Sequence, residues 1–301
     1  MPTTPAPLDR HVRELFGVSW GRARAWIESG KVSVGGAVMT EPTARVPPGS
    51  EIDLHERARR PRTAEVAELH VVHVDAQLIV VAKPPGIATV PYDDAEADSL
   101  DARVRQWLER TARARAARAG RPSLGVVQRL DKETTGLIVF TRTWLAKQAL
   151  SSQFRRHSVE RRYLAVAHGE VQPRTFRSFL LEDRGDGLRG SARTGGARAP
   201  QAREAVTHVD VLDRLAGATL VSCRLETGRT HQIRIHLSEA GHPLVGESVY
   251  VRGFAGPAID APRLMLHAAE LGFVHPTTQI AMHWELPMPA DMGAVIERLR
   301  R

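Results

Sequence analysis

The alternation of apolar and polar positions divides the chain into a short stretch of helical period and a long run dominated by strands. Val12, Leu15 and Phe16 fall at i, i+3 and i+4, and Ala23, Trp26 and Ile27 repeat that spacing, which predicts two short amphipathic helices. Ser19 precedes the second as an N-cap and Gly30 follows it as a stop. Lys31 to Val34 and Ala37 to Met39 flank Gly35-Gly36 and read as a hairpin on a two-residue glycine turn. Residues 9–54 therefore read as one small unit, and the charged, aperiodic residues 55–68 as a linker.

From residue 69 the pattern changes. Leu69 to Val74 and Leu78 to Ala82 are apolar runs separated by Asp75-Ala76-Gln77, which predicts paired strands, the second ended by Lys83-Pro84-Pro85-Gly86. Leu100, Val104, Trp107 and Leu108 form a helical stripe that runs into a basic tract holding Arg110, Arg113, Arg115, Arg118 and Arg121. Further strands are expected at Leu137 to Phe140, Tyr163 to His168, 205–212, 218–226 and 271–284. Helices are expected at 143–157 and near 230–240, and the Gly-, Arg- and Ala-rich segment 184–200 as a loop. Strands in pairs with helices between them imply an α+β domain over residues 69–301, built on a largely antiparallel, mixed sheet flanked by helices.

Charge narrows the range of partners. The 301 residues carry 42 Lys and Arg against 34 Asp and Glu, a formal net charge of +8, which suits a polyanion whose condensed counterions are released on binding. Arg10, Arg13, Arg22, Arg24 and Lys31 lie off the apolar stripe of the N-terminal unit and are candidate RNA contacts. The single cysteine, Cys223, leaves no disulfide framework and no cysteine-based zinc site. No run of 18 apolar residues occurs, and Met1 to Leu8 has no basic-then-apolar leader. A monomer in the reducing cytoplasm, with no membrane partner, is expected.

Two segments are dense in chemistry. In Gln128 to Phe140, a polar loop with Arg129 and Asp131 precedes an apolar strand, and Thr134, Thr135 and Gly136 turn it tightly, presenting a carboxylate at the mouth of a sheet. In Glu226 to His236, Thr227-Gly228 breaks a strand and Arg229 follows at a loop-to-helix junction, where a guanidinium suits a buried carboxylate. His231 and His236 are not an i, i+4 pair and have no acidic residue between them, so they read as hydrogen-bonded structural histidines and no metal is expected. Tyr163 begins a strand as one of only three tyrosines. No dinucleotide fingerprint or phosphate-cradling glycine loop occurs, which speaks against redox and phosphoryl-transfer chemistry.

Taken in order, Lys83 to Gly86, Arg129-Leu130-Asp131 with Thr134 to Gly136, Arg162-Tyr163, Gly228 to His236 and Gly241 to Tyr250 resemble the RluA-type pseudouridine synthases, from about residue 69 to 289. Residues 9–54 resemble the S-four (αL) RNA-binding domain of ribosomal proteins. The resemblance implies a pseudouridine synthase fold and a cofactor-free uridine isomerase acting on RNA, most simply ribosomal RNA. It implies Asp131 as the essential carboxylate and Arg229 as the arginine that pairs with it. Tyr163 is then the tyrosine against the uracil, Arg129 and Thr134 substrate contacts, and Ile233 an apolar residue beside the pocket. Gln128 stands where the family usually has histidine, Thr135 replaces serine and Glu247 replaces aspartate. A transfer RNA substrate, a non-catalytic RNA-binding or ribosome-assembly protein, and a metal-dependent nuclease are the competing readings.

Overall fold

The computed structural model describes residues 6–47, 49–55, 69–91, 98–113, 124–184, 188–192 and 201–301. The chain divides into two compact units, residues up to 68 and residues from 69 onward apart from 93–96. Of the expected linker only His55 is described, and Arg115, Arg118 and Arg121 of the basic tract lie outside the described residues.

In the N-terminal unit the two helical stripes fold as α1 (Leu8–Phe16) and α2 (Trp20–Glu28). Gly17 closes α1 in the left-handed conformation, and the Ser19 hydroxyl accepts from the Arg22 N–H at 3.3 Å, so the turn between them is capped on both sides. Strands β1 (Val32–Val34), β2 (Ala37–Met39) and β3 (Ile52–Leu54) form a three-stranded antiparallel sheet with β1 central. Leu8, Val12, Ala23, Ile27, Val32 and Val46 make its core.

The larger unit is built on one mixed sheet. Its strands are β4 (His70–Val74), β5 (Leu78–Lys83), β6 (Thr135–Thr141), β7 (Glu160–His168), β8 (Arg174–Leu181), β9 (Arg203–Leu215), β10 (Ala218–Leu225), β11 (Leu266–Val274) and β12 (Ala281–Glu285). Across the sheet they lie in the order β8-β9-β10-β7-β11-β6-β5-β4, with β12 added to β11. Pairing is antiparallel except between β6 and β11. The apolar runs in β5 and β6 are continuous because both faces are covered. Ile79, Val81, Ile138 and Phe140 share one core with Leu100, Val104 and Leu108 of α3 (Leu100–Arg113). Leu78, Val80, Leu137 and Val139 share the other with Leu150 of α4 (Trp144–Arg155). The remaining helices are α5 (Gln232–Glu239) and α6 (Ala290–Leu299).

Three sequence expectations change. The strand expected over 271–284 is a hairpin of two, β11 and β12, which starts earlier and turns through a left-handed Gln279. Gly190–Ser191, inside the expected loop, pairs with β8, while 185–187 and 193–200 lie outside the described residues. β8 itself and α6 were not foreseen. Among the described residues no helix is long and apolar enough to cross a membrane.

Candidate active site

Asp131 sits in the loop that feeds β6, and that loop is held from beneath. The Lys83 ammonium, at the end of β5, is buried and donates to the carbonyls of Lys132 (2.7 Å), Thr134 (2.9 Å) and Pro84 (3.0 Å). Burial pulls Lys83 down to about 7, while three carbonyl acceptors favour its charged form. Thr89 bonds both the N–H and the carbonyl of Leu130, at 3.0 and 2.9 Å. Gly136 enters β6 at φ +119°, where a Cβ would overlap the backbone of Ala268 on β11; glycine is required by both conformation and space.

The loop opens onto a cleft of about 820 Å³ lined by Asp131, Tyr163, Arg229 and Arg129, so four of the sequence candidates meet there. Asp131 is the only carboxylate among the described residues lining it, set among Arg129, Arg155, Arg161, Arg189 and Arg229. Gln128 lines it too, and its buried Nε2 has no partner. Two candidates do not reach the cleft. Thr134 is buried, its carbonyl accepting from Lys83 and its hydroxyl unpartnered, because the turn points the side chain into the fold. Ile233 is buried in the same core cluster as Tyr163, behind the cleft surface.

The expected pairing of Arg229 with Asp131 is corrected by the structure. Arg229 lies in the loop before α5, and its Nε donates to the Glu204 carbonyl of β9 at 2.9 Å. The guanidinium beside the carboxylate is that of Arg234, with Nη1 3.3 Å from Asp131 Oδ2. The helix phase is the reason: His231 and Arg234, three apart, share one face of the first turn, and both face Asp131. Arg234 is itself gripped by Glu247, with Nε and Nη2 each 2.7 Å from a carboxylate oxygen, in a two-pronged bond. Burial works against the Glu247 charge, but Arg234 and the N–H groups of Val249 and Tyr250 outweigh it and hold the carboxyl below its usual range. Glu247 thus has a definite task, which sequence reading had reduced to a conservative replacement.

His231, which the sequence reads as a hydrogen-bonded structural histidine, instead lines the cleft and faces Asp131. It adopts a left-handed conformation at the N-cap of α5, uncommon outside glycine, and its Nδ1 lies 2.7 Å from the Tyr250 hydroxyl. Burial lowers its pKa, so the ring is neutral near pH 7. Burial also pushes the Tyr250 phenol up to about 12, so it stays protonated beside Nδ1, while Nε2 faces Asp131, 3.7 Å from Oδ1. Tyr163 is buried as well, and burial raises its phenol, so it stands as a neutral hydroxyl. His236 is structural: its nitrogens lie 2.9 Å from Thr207 and Ser178 hydroxyls.

In the N-terminal unit, described by itself, Arg24 is engaged by the buried Asp9 at 2.8 Å and Arg10 by Glu14 at 2.9 Å. Arg13 lies 4.4 Å over Trp20 and Arg22 5.1 Å over Trp26. Among the described residues one group, Glu270, His283 and Glu285, has side chains close enough to share a cation. It lies on β11 and β12, none of it lines the cleft, and Arg162 already pairs with Glu270.

A lone carboxylate ringed by arginines is a site for chemistry on a polyanion, and comparison with known proteins specifies the class. The model of the RNA pseudouridylate synthase family matches residues 77–239. The chain is 34% identical over 307 residues to the ribosomal large subunit pseudouridine synthase D of Pseudomonas aeruginosa, covering 98% of this chain and 92% of that one. It is also 32% identical over 290 residues to an uncharacterized RNA pseudouridine synthase, YlyB, of Bacillus subtilis, covering 94% and 90%. Among solved structures, human RNA pseudouridylate synthase domain containing 4 shares the fold at a TM-score of 0.61 and 23% identity, over 77% of this chain and 93% of that one. The chain belongs to the RNA pseudouridylate synthase family.

Proposed function

We propose that this pseudouridine synthase acts in the cytoplasm on uridines of large-subunit ribosomal RNA, with Asp131 as the carboxylate that acts on the sugar. The observation that carries the reading is the placement of Asp131, held by Arg234 at 3.3 Å, in one arginine-lined cleft with Tyr163. Curated relatives that align along nearly the whole chain are named for that RNA, which supports the choice of substrate.

The reaction breaks the bond from ribose C1′ to uracil N1, turns the base, and rejoins C1′ to C5, with the C5 proton lost and a proton gained at the freed N1. Atoms balance without a redox partner or a transferred phosphate. A carboxylate fixed at the sugar serves either as the nucleophile at C1′ or as the base that removes a sugar proton. The target base must leave its helix, at a cost of a few kcal/mol. Stacking on an aromatic ring such as Tyr163 contributes about 1–3 kcal/mol in return. Tyr163 is a neutral phenol in the cleft, so it faces the base as a hydroxyl and not as a standing phenolate.

The N-terminal unit, read as an S-four-type RNA-binding domain, adds affinity through Arg13, Arg22 and Lys31, whereas Arg24 also serves the fold through Asp9. Mapping pseudouridines in total RNA from cells with and without the gene tests the assignment. Loss of one or more large-subunit ribosomal sites supports it. Loss confined to transfer RNA, or no loss at all, overturns it.

A further inference from the structure

Arg161 is a buried cation with no carboxylate partner among the described residues. It lies on β7 two residues before Tyr163, so both side chains point to the same face, about 7 Å apart along the strand. Only 8% of its surface is exposed, yet it lines the cleft. Nη2 donates to the Glu226 carbonyl at 3.0 Å, and the Phe154 ring lies 5.5 Å from its guanidinium carbon. Its Nε is buried with no partner, and no carboxylate among the described residues forms an ion pair with it. The charged side chain that bears on it is Arg229, a like charge that opposes its own. A guanidinium taken out of water and set beside a second one is unfavourable unless an anion joins them.

The space around it is kept open. A Cβ on Gly228, in the strand break before α5, would overlap Arg161 Nη1, so glycine there lets the guanidinium occupy its place at the cleft wall. A planar guanidinium at the cleft wall, about one strand repeat from the tyrosine that faces the base, matches a phosphodiester in shape and charge. We infer that Arg161 binds a backbone phosphate adjoining the everted uridine, and so anchors the strand on either side of the reacting sugar. The inference rests on the isomerase reading above and adds a substrate contact to it.

The test uses the full-length protein and a synthetic large-subunit ribosomal RNA stem-loop carrying the mapped target uridine. Tritium release from its C5-labelled form first establishes that the wild type converts it; no conversion overturns both readings. Binding is then measured against salt for wild type, Arg161→Met and Arg161→Lys. The expected result for Arg161→Met is affinity weaker by roughly 10- to 100-fold and a log Kd–log salt slope shallower by about 0.7 to 1, one phosphate contact. Arg161→Lys retains the slope. A neutral methylphosphonate placed at the linkages flanking the uridine, one at a time, is expected to weaken wild type at one of them and to leave Arg161→Met indifferent there. Should Arg161→Met fail to fold, Gly228→Ala, which pushes the guanidinium aside without removing it, is expected to show the same shallower slope. An unchanged slope in the folded variant, or equal response of wild type and variant to every neutral linkage, overturns the inference while leaving the isomerase intact.

Discussion

Replacing Arg234 by methionine separates the stability of the fold from the placement of Asp131. The Glu247 side chain is fully buried and its carboxylate takes two 2.7 Å bonds from Arg234. Removing the guanidinium leaves that charge with two backbone N–H groups only, and breaking a buried pair in this way costs about 3–5 kcal/mol. For a unit of this size the loss lowers Tm by roughly 6–20 °C, within what a domain of ordinary stability survives. Asp131 simultaneously loses the group 3.3 Å from its Oδ2, and a carboxylate displaced by about 1 Å from its reacting geometry loses about 100-fold in rate. The double variant Arg234→Met, Glu247→Leu removes both buried charges, so stability returns to near wild type. Turnover does not, because Asp131 still lacks its anchor. Urea unfolding and single-turnover tritium release at saturating RNA read the two effects independently. Wild-type turnover in Arg234→Met, or recovery of turnover with stability in the double variant, refutes the role given to Arg234.

Gly136→Ala is expected to yield little folded protein, because the new Cβ meets the Ala268 backbone and the φ of +119° disfavours alanine; circular dichroism of the soluble fraction checks this. Acid is expected to weaken the fold through His236, whose pKa burial lowers from 6.5 to about 4. Between those values the unfolded chain binds the extra proton, so stability is complete above about 6.5 and falls by on the order of 3 kcal/mol as pH drops toward 4. His231 and His267, also lowered by burial, act in the same direction, so His236→Gln flattens the pH dependence of urea unfolding without abolishing it. An unaltered slope in that variant contradicts the assignment.

Much of the scaffold was legible because its signals are local. The stripe Leu100, Val104, Leu108, the Ser19 cap, and the unbroken apolar runs of β5 and β6 each report burial on a face that neighbouring residues define. β8 was missed because it is exposed at Arg174, Thr175 and Arg177 and buried only at Phe176 and Leu180, so its pattern is diluted by solvent-facing polar groups. The cleft was half legible. Asp131, with its tight turn and following strand, stood out, but the partner of Asp131 depends on where α5 starts and on its phase, and Arg229 and Arg234 differ by little else in sequence. Glu247, 13 residues further on in a turn-rich loop, acquires its meaning only when the fold sets it against Arg234. The lysine and glycine signals at Lys83 and Gly136 mark the support of the loop and not its chemistry.

The most direct measurement compares Asp131→Asn with wild type for tritium release from C5-labelled uridine in large-subunit ribosomal RNA, alongside binding of the same RNA. The account predicts that the amide abolishes release and leaves affinity within a few-fold of wild type. Release at an undiminished rate from Asp131→Asn contradicts it.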